Sequence, residues 1–123
     1  MARLAASFLS ILILVGAAGC VTQADLPEDC QAASVEREAT LTGNRLDPEA
    51  IAVCKGQELT LTITADRAGE IHLHGYDNEL EVQPGDTATV TFSTTLAGQF
   101  PIELHPPDEG PEVEIGILTV HEP

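Results

Sequence analysis

Aromatic and basic residues are scarce in this chain. Among 123 residues there is no tryptophan, one tyrosine and three phenylalanines, so a hydrophobic core must be built from valine, isoleucine, leucine and alanine. Lysine and arginine together number 5 against 20 aspartates and glutamates, which gives a formal net charge of −15. So acidic a surface repels phosphates and anionic headgroups, which argues against nucleic acid or anionic lipid as a partner. It could attract cations, although solubility alone would explain it.

Sulfur-containing residues are also few. Met1 is the single methionine, and the three cysteines are Cys20, Cys30 and Cys54. No pair has C-x-x-C spacing, and neither Cys30 nor Cys54 has a histidine close by in the sequence, which disfavours a metal-binding or redox-active thiol pair. If Cys20 is modified, the other two cysteines form an even pair, and in an oxidising compartment this favours a disulfide.

The first 20 residues have the pattern of an export signal. Arg3 precedes an apolar run over residues 4–15, which is too short and too poorly flanked to span a membrane. Small residues directly before Cys20 resemble a bacterial lipobox, although Ala17 stands where leucine is usual. The resemblance implies that residues 1–19 are a signal peptide and that Cys20 is lipidated. It would anchor the protein in the cell envelope, on a periplasmic or extracellular face; ordinary signal cleavage is the alternative.

The remainder is predicted to be a tether over residues 20–33 followed by one domain over residues 34–123 with a single modest core. No amphipathic helix is evident, and about eight short segments alternate apolar and polar residues between turns. These segments are residues 35–41, 51–54, 58–64, 70–74, 80–82, 87–92, 100–105 and 113–120. The pattern predicts an all-β fold, an antiparallel β-sandwich of about 7–8 strands.

The order and spacing of several motifs within residues 35–120 resemble the cupredoxin family. The matching segments are DPEAIAVCKGQELTLTI (47–63), GEIHLHGYD (69–77), PGDTATVTF (84–92), AGQF (97–100) and GILTV (116–120). The resemblance implies a Greek-key sandwich. Electron-carrying members hold copper through a thiolate, two imidazoles and usually an axial methionine. Leu104 stands at the thiolate position here and no methionine remains after signal removal, so a type 1 blue-copper site is excluded.

Three histidines are the candidate metal ligands. His72 and His74 are two residues apart in a predicted strand, so they project from the same face about 7 Å apart. The resemblance places one of them at the first copper histidine and His105 one residue past the missing cysteine. If the two strands are neighbours, the three imidazoles converge and could bind copper or zinc. The side chains expected around them are those of Tyr76, Asp77 and Glu103.

Other interpretations of these residues stay open. The histidines could be ordinary polar residues on a solvated strand face, and His121 is predicted to be solvated and not a ligand. The acidic residues near the end of the chain are predicted to protect a strand edge, with calcium binding as a weaker alternative. These residues are Asp108, Glu109, Glu112 and Glu114.

The sequence therefore predicts an envelope lipoprotein that binds or hands on a divalent metal, with copper the first candidate. No nucleophile motif or acid–base carboxylate pair indicates an enzyme, and a small metal-dependent oxidase or hydrolase, resting only on a histidine-metal site, is a weaker alternative. The alternative is a metal-free structural or protein-interaction module of the envelope. That alternative predicts an exposed apolar patch, for example around Tyr76 and Pro106-Pro107.

Overall fold

The computed structural model describes residues 26–123. Within this range the chain forms nine β-strands. The predicted signal peptide (residues 1–19) and Cys20 lie outside the described residues. Within residues 26–123 no helix is long and apolar enough to cross a membrane. The strands are β1 (Ser34–Thr42), β2 (Arg45–Asp47), β3 (Ala50–Cys54), β4 (Glu58–Ala65), β5 (Gly69–Leu73), β6 (Asn78–Val82), β7 (Thr87–Ser93), β8 (Gly98–His105) and β9 (Val113–His121).

The strands form two sheets, which confirms the predicted all-β sandwich. One sheet has the order β2-β1-β4-β7 and the other the order β3-β9-β8-β5-β6. The sheets are mixed and not wholly antiparallel, because β1 pairs parallel with β4 and β3 pairs parallel with β9. Period-two alternation is the same in parallel and antiparallel strands, so the sequence pattern did not reveal these two pairs.

Strand β2 was not predicted. It is three residues long and pairs with β1 across the predicted turn at Gly43-Asn44, with Leu41 opposite Leu46. Gly43 has φ +59, a left-handed conformation that glycine adopts readily. Because β2 holds one apolar residue, Leu46, it has no alternation that a sequence pattern could detect.

The core is aliphatic, as the composition requires. In β4 the side chains of Leu59, Leu61 and Ile63 are fully buried, while the intervening threonines face outward. Each sheet contributes one such apolar face, and partly buried Tyr76, Phe92 and Phe100 pack against the resulting cluster. Its buried members are Val35, Ala39, Leu41, Leu46, Ile51, Val53, Leu59, Leu61, Ile63, Ala65, Ile71, Leu73, Leu80, Val82, Ile102, Leu104, Ile115, Leu118 and Val120.

The segment before β1 is fastened to the sandwich. The predicted disulfide between Cys30 and Cys54 is confirmed, with a Cα–Cα distance of 5.3 Å. The buried Gln57 amide donates to the carbonyl oxygens of Asp29 (2.7 Å) and Ala32 (3.1 Å), and its oxygen accepts from the Cys54 N–H at 2.8 Å. Part of the predicted tether therefore contacts the domain.

A buried hydroxyl joins the β3–β4 turn to the end of β7. Thr94 Oγ1 lies 2.8 Å from the Cys54 carbonyl oxygen and 2.9 Å from that of Gln57, and it accepts from the Gln57 N–H at 3.1 Å. Thr94 has no solvent exposure, so no water can replace these partners.

Replacing the Thr94 hydroxyl by a methyl group should therefore destabilise the fold. We expect Thr94→Val to lower the free energy of unfolding by about 1–3 kcal/mol, because buried backbone groups lose their partner. The matched control is Thr95→Val, since Thr95 is exposed next to it and should change stability by less than about 0.5 kcal/mol. Urea denaturation of the two variants measures the difference, and equal midpoints would contradict the assignment.

Removing the disulfide should lower the free energy of unfolding, because the unfolded chain gains conformational freedom. Cys30 and Cys54 are 24 residues apart in sequence, and closing a loop of that length stabilises a domain by about 3 kcal/mol on the chain-entropy model. The Cys30→Ala/Cys54→Ala variant should therefore unfold at a lower denaturant concentration. Adding a reductant should shift the wild-type transition towards that of the variant and leave the variant unchanged.

Candidate metal centre

Strand β5 presents a histidine on the outer face of the five-stranded sheet. Ile71 and Leu73 are buried in the core, so His72 between them points outward because successive side chains alternate. Strand β5 lies between β8 and β6, and His72 is opposite Glu103 on β8 and Glu79 on β6. The sheet register therefore brings a carboxylate to each side of His72.

His74 lies one residue beyond the end of β5 and stays on the same side. Its backbone N–H donates to the Pro101 carbonyl oxygen at 3.1 Å, which continues the pairing with β8. The ring centroids of His72 and His74 are 4.6 Å apart, and His74 Nε2 is 2.5 Å from Glu103 Oε2. One ligand atom from each of His72, His74 and Glu103 lies within 4.8 Å of the others.

His105 is the last residue of β8 and forms a second group with two carboxylates. Its ring centroid is 6.0 Å from that of His72, and His105 Nδ1 is 3.5 Å from Glu112 Oε1. Ligand atoms of Glu103, His105 and Glu112 lie within 4.8 Å of one another. His105 Nε2 is enclosed by protein and has no hydrogen-bond partner among the described residues.

The three predicted histidines thus share one face, and we call them together with Glu103 and Glu112 the histidine–carboxylate cluster. Glu103 was expected near them. Glu112 was predicted to protect a strand edge, and its approach to the histidines was not predicted. No periodic signal marks Glu112, since it follows an irregular segment that contains Pro106, Pro107 and Gly110.

The other residues expected around the histidines have different contacts. Tyr76 packs against Phe92 and Phe100, with ring centroids 4.9 and 5.0 Å away, and its hydroxyl donates to the Leu96 carbonyl oxygen at 2.6 Å. Burial raises the pKa of Tyr76, and the hydrogen bond to Leu96 partly opposes this rise. Asp77 belongs to neither of the two groups above.

The electrostatic environment keeps Glu103 ionised. The hydrogen bond with His74 lowers the pKa of the Glu103 carboxyl; burial acts in the opposite direction, and the contact with Glu112 and the charges of His74 and His105 lower the pKa further. Its contribution to stability is therefore present above the ordinary carboxyl pKa and is lost as the pH falls through the lowered one. At neutral pH the Glu103 carboxylate is available as a ligand.

The basic side chains of residues 26–123 are paired away from the histidine–carboxylate cluster. The four described arginines and lysines contact acidic or amide side chains elsewhere, so within residues 26–123 each has its own partner. The pairs are Arg37–Asp29, Arg45–Glu49, Lys55–Glu122 and Arg67–Asn44.

The donor atoms available here are nitrogen and oxygen. Leu104, at the thiolate position implied by the resemblance, is 1% exposed and its side chain packs in the core close to Gly69. Both described cysteines are in the disulfide, and the described residues contain no methionine. Imidazole with carboxylate suits Cu(II) or Zn(II), whereas a type 1 copper site needs a thiolate. The residues present therefore fit a divalent ion and do not fit a blue-copper centre.

No family model and no curated protein matches this chain, but solved structures do. A copper-binding protein in its apo form, solved by NMR, is 18% identical with a TM-score of 0.58, over 72% of this chain and 89% of that one. Auracyanin A, a "blue" copper protein from Chloroflexus aurantiacus, is 18% identical with a TM-score of 0.55, over 72% and 99% of the two chains.

Two further neighbours have other roles. The metal-binding domain of the Cu(I)-exporting P-type ATPase CopA of Streptococcus pneumoniae, solved with Cu(I), is 13% identical with a TM-score of 0.55, over 74% of this chain and 89% of that one. A blue copper oxidase from Nitrosomonas europaea is 20% identical with a TM-score of 0.57, and the match spans 72% of this chain but only 39% of the oxidase. At these identities the likeness shows the fold alone, and the described part of this chain has a cupredoxin-like fold.

Proposed function

We propose that this domain binds a divalent metal ion, with copper the first candidate, and hands it on without acting as a blue-copper electron carrier. The observation that carries the proposal is the approach of His72, His74 and Glu103 on one sheet face, with ligand atoms within 4.8 Å of one another. His105, the third predicted ligand, belongs to the same cluster.

The donor atoms indicate the oxidation state of the ion. Copper(I) is selected by thiolate and thioether ligands, while imidazole and carboxylate suit copper(II) and zinc(II). The structural neighbours described as copper proteins favour copper over zinc. We therefore propose Cu(II) as the physiological ion and Zn(II) as a competitor.

The exposure of the ligands supports transfer of the ion and not permanent storage. The His74 side chain is 43% exposed, so a partner's ligand can approach the ion while it is still bound. The ion can pass to a partner without thiol–disulfide exchange, because the donor atoms are nitrogen and oxygen. We propose no catalytic activity, because the described residues offer a ligand cluster and no separate acid–base or nucleophilic pair.

The proposed place of action is the cell envelope, with the protein anchored through lipid on Cys20. The apolar run over residues 4–15 and the small residues before Cys20 support this location. The Cys30–Cys54 disulfide also supports it, because disulfides persist in oxidising compartments.

Calorimetric titration tests the metal proposal. The exported chain, residues 20–123 with Cys20→Ser to keep it soluble, should bind Cu(II) with a Kd below about 1 μM. In the His72→Ala/His74→Ala variant, the site that contains these two histidines should bind Cu(II) more than about 100-fold more weakly, a loss of roughly 2.7 kcal/mol. His121→Ala is the matched control, since His121 lies outside the cluster, and it should bind like the wild type.

Weak binding that is equal in all these proteins would contradict the proposal. The acidic surface alone would then account for cation binding, and the domain would be a metal-free interaction module. In that case the surface around Tyr76 and Leu96 would be the place to examine, because Leu96 is 51% exposed beside the Tyr76 hydroxyl.

Fractionation of cells tests the anchor. The full-length protein should sediment with membranes and incorporate labelled palmitate, whereas the Cys20→Ser variant should be released into the soluble envelope fraction. Ser34→Ala is the control, because Ser34 is exposed and its replacement leaves both the predicted lipidation site and the disulfide intact. Equal membrane association of the wild type and Cys20→Ser would contradict lipidation of Cys20.

A further inference from the structure

Glu103 belongs to two ligand groups at once. It lies with His72 and His74 in one group and with His105 and Glu112 in the other. A carboxylate has two oxygen atoms, so a single carboxylate can bind one cation through each of them. In two-metal sites the ions lie about 3.5–4 Å apart. The position of Glu103 between the two groups is therefore the position of a bridging ligand.

The second group is complete without the first pair of histidines. His105 Nε2 is enclosed, so the nitrogen that can meet an incoming ion is Nδ1, which already lies 3.5 Å from Glu112 Oε1. The Glu112 side chain is 54% exposed, so it can adjust its oxygens around an ion. An imidazole and two carboxylates, with water, complete an ordinary coordination shell for zinc or copper.

A single ion would leave part of the cluster unused. Ligand nitrogens on one zinc ion are each about 2.0–2.1 Å from it, so they lie within about 4 Å of one another. The ligand atoms that lie within 4.8 Å of one another place His105 with Glu103 and Glu112, and they place His72 and His74 together with Glu103. An ion held by His72, His74 and Glu103 therefore leaves His105 and Glu112 free to hold another.

The charge of the sheet face offsets the repulsion between two cations. Strand pairing places further carboxylates around the cluster, and all of them lie on the same outer face. They are Glu79 opposite His72, Glu114 opposite Glu103, Glu70 opposite His105 and Glu81 opposite Glu70. These carboxylates account for part of the strongly negative charge of the chain.

We propose that the histidine–carboxylate cluster holds two divalent cations bridged by Glu103, one bound by His72 and His74 and the other by His105 and Glu112. This inference rests on the proposed function, since it concerns the same cluster. It goes beyond that function by assigning two ions per chain and separate ligands to each ion.

Stoichiometry and magnetic coupling test the proposal. The exported chain with Cys20→Ser is titrated with Cu(II), followed by native mass spectrometry and electron paramagnetic resonance. We expect two Cu(II) per chain and, at two equivalents, a half-field signal from a coupled pair. His105→Ala/Glu112→Gln should bind one Cu(II) and show no half-field signal. His121→Ala/Glu122→Gln also removes one histidine and one glutamate, but outside the cluster, and should behave like the wild type.

The remaining outcomes separate the two proposals. One Cu(II) per chain, unaffected by His105→Ala/Glu112→Gln, would overturn the second site and leave the proposed function standing. Two ions without magnetic coupling would overturn the bridge. No saturable binding would overturn both proposals. Glu103→Gln provides an independent check, since it should abolish the half-field signal, and circular dichroism of each variant confirms that the fold is retained.

Discussion

Burial of two aliphatic faces against each other is the constraint on which this structure depends. With few aromatic side chains available, the core consists of closely packed valine, isoleucine and leucine side chains from both sheets. Strand register is then strongly fixed, because a slip of one residue would bury His72 and expose Ile71 and Leu73. The packing that stabilises the inner face therefore also determines what the outer face displays.

The outer face of β5 and β8 carries the side chains that could bind a metal ion. Their antiparallel register sets His72 opposite Glu103 and Glu70 opposite His105, so imidazoles and carboxylates alternate across neighbouring strands. Leu104, which takes the position of a thiolate ligand in the family that this chain resembles, contributes to the core instead. The remaining donors are hard or intermediate, and they lie at the surface, which is consistent with the proposed exchange of a divalent ion.

Much of the sandwich could be predicted because alternation is a local property. The eight predicted segments correspond to strands of the structure, and the outward phase of His72 and His105 follows from their buried neighbours Ile71, Leu73 and Leu104. Strand β2 escaped prediction because Leu46 alone carries no period. The two parallel pairs escaped it because strand direction depends on where the chain crosses between sheets, which a period of two does not encode.

By itself, the sequence determined which residues alternate, which cysteines could pair and which donor atoms exist, because composition and period are properties of short segments. The leucine at the implied thiolate position is a property of the sequence, whereas the structure shows that Cys30 and Cys54 are paired with each other. Only the tertiary structure decided that Glu103 lies between His74 and His105 and that Glu112 reaches the same place. These contacts join residues far apart along the chain, and they exist because core packing fixes the register of β5, β8 and β9.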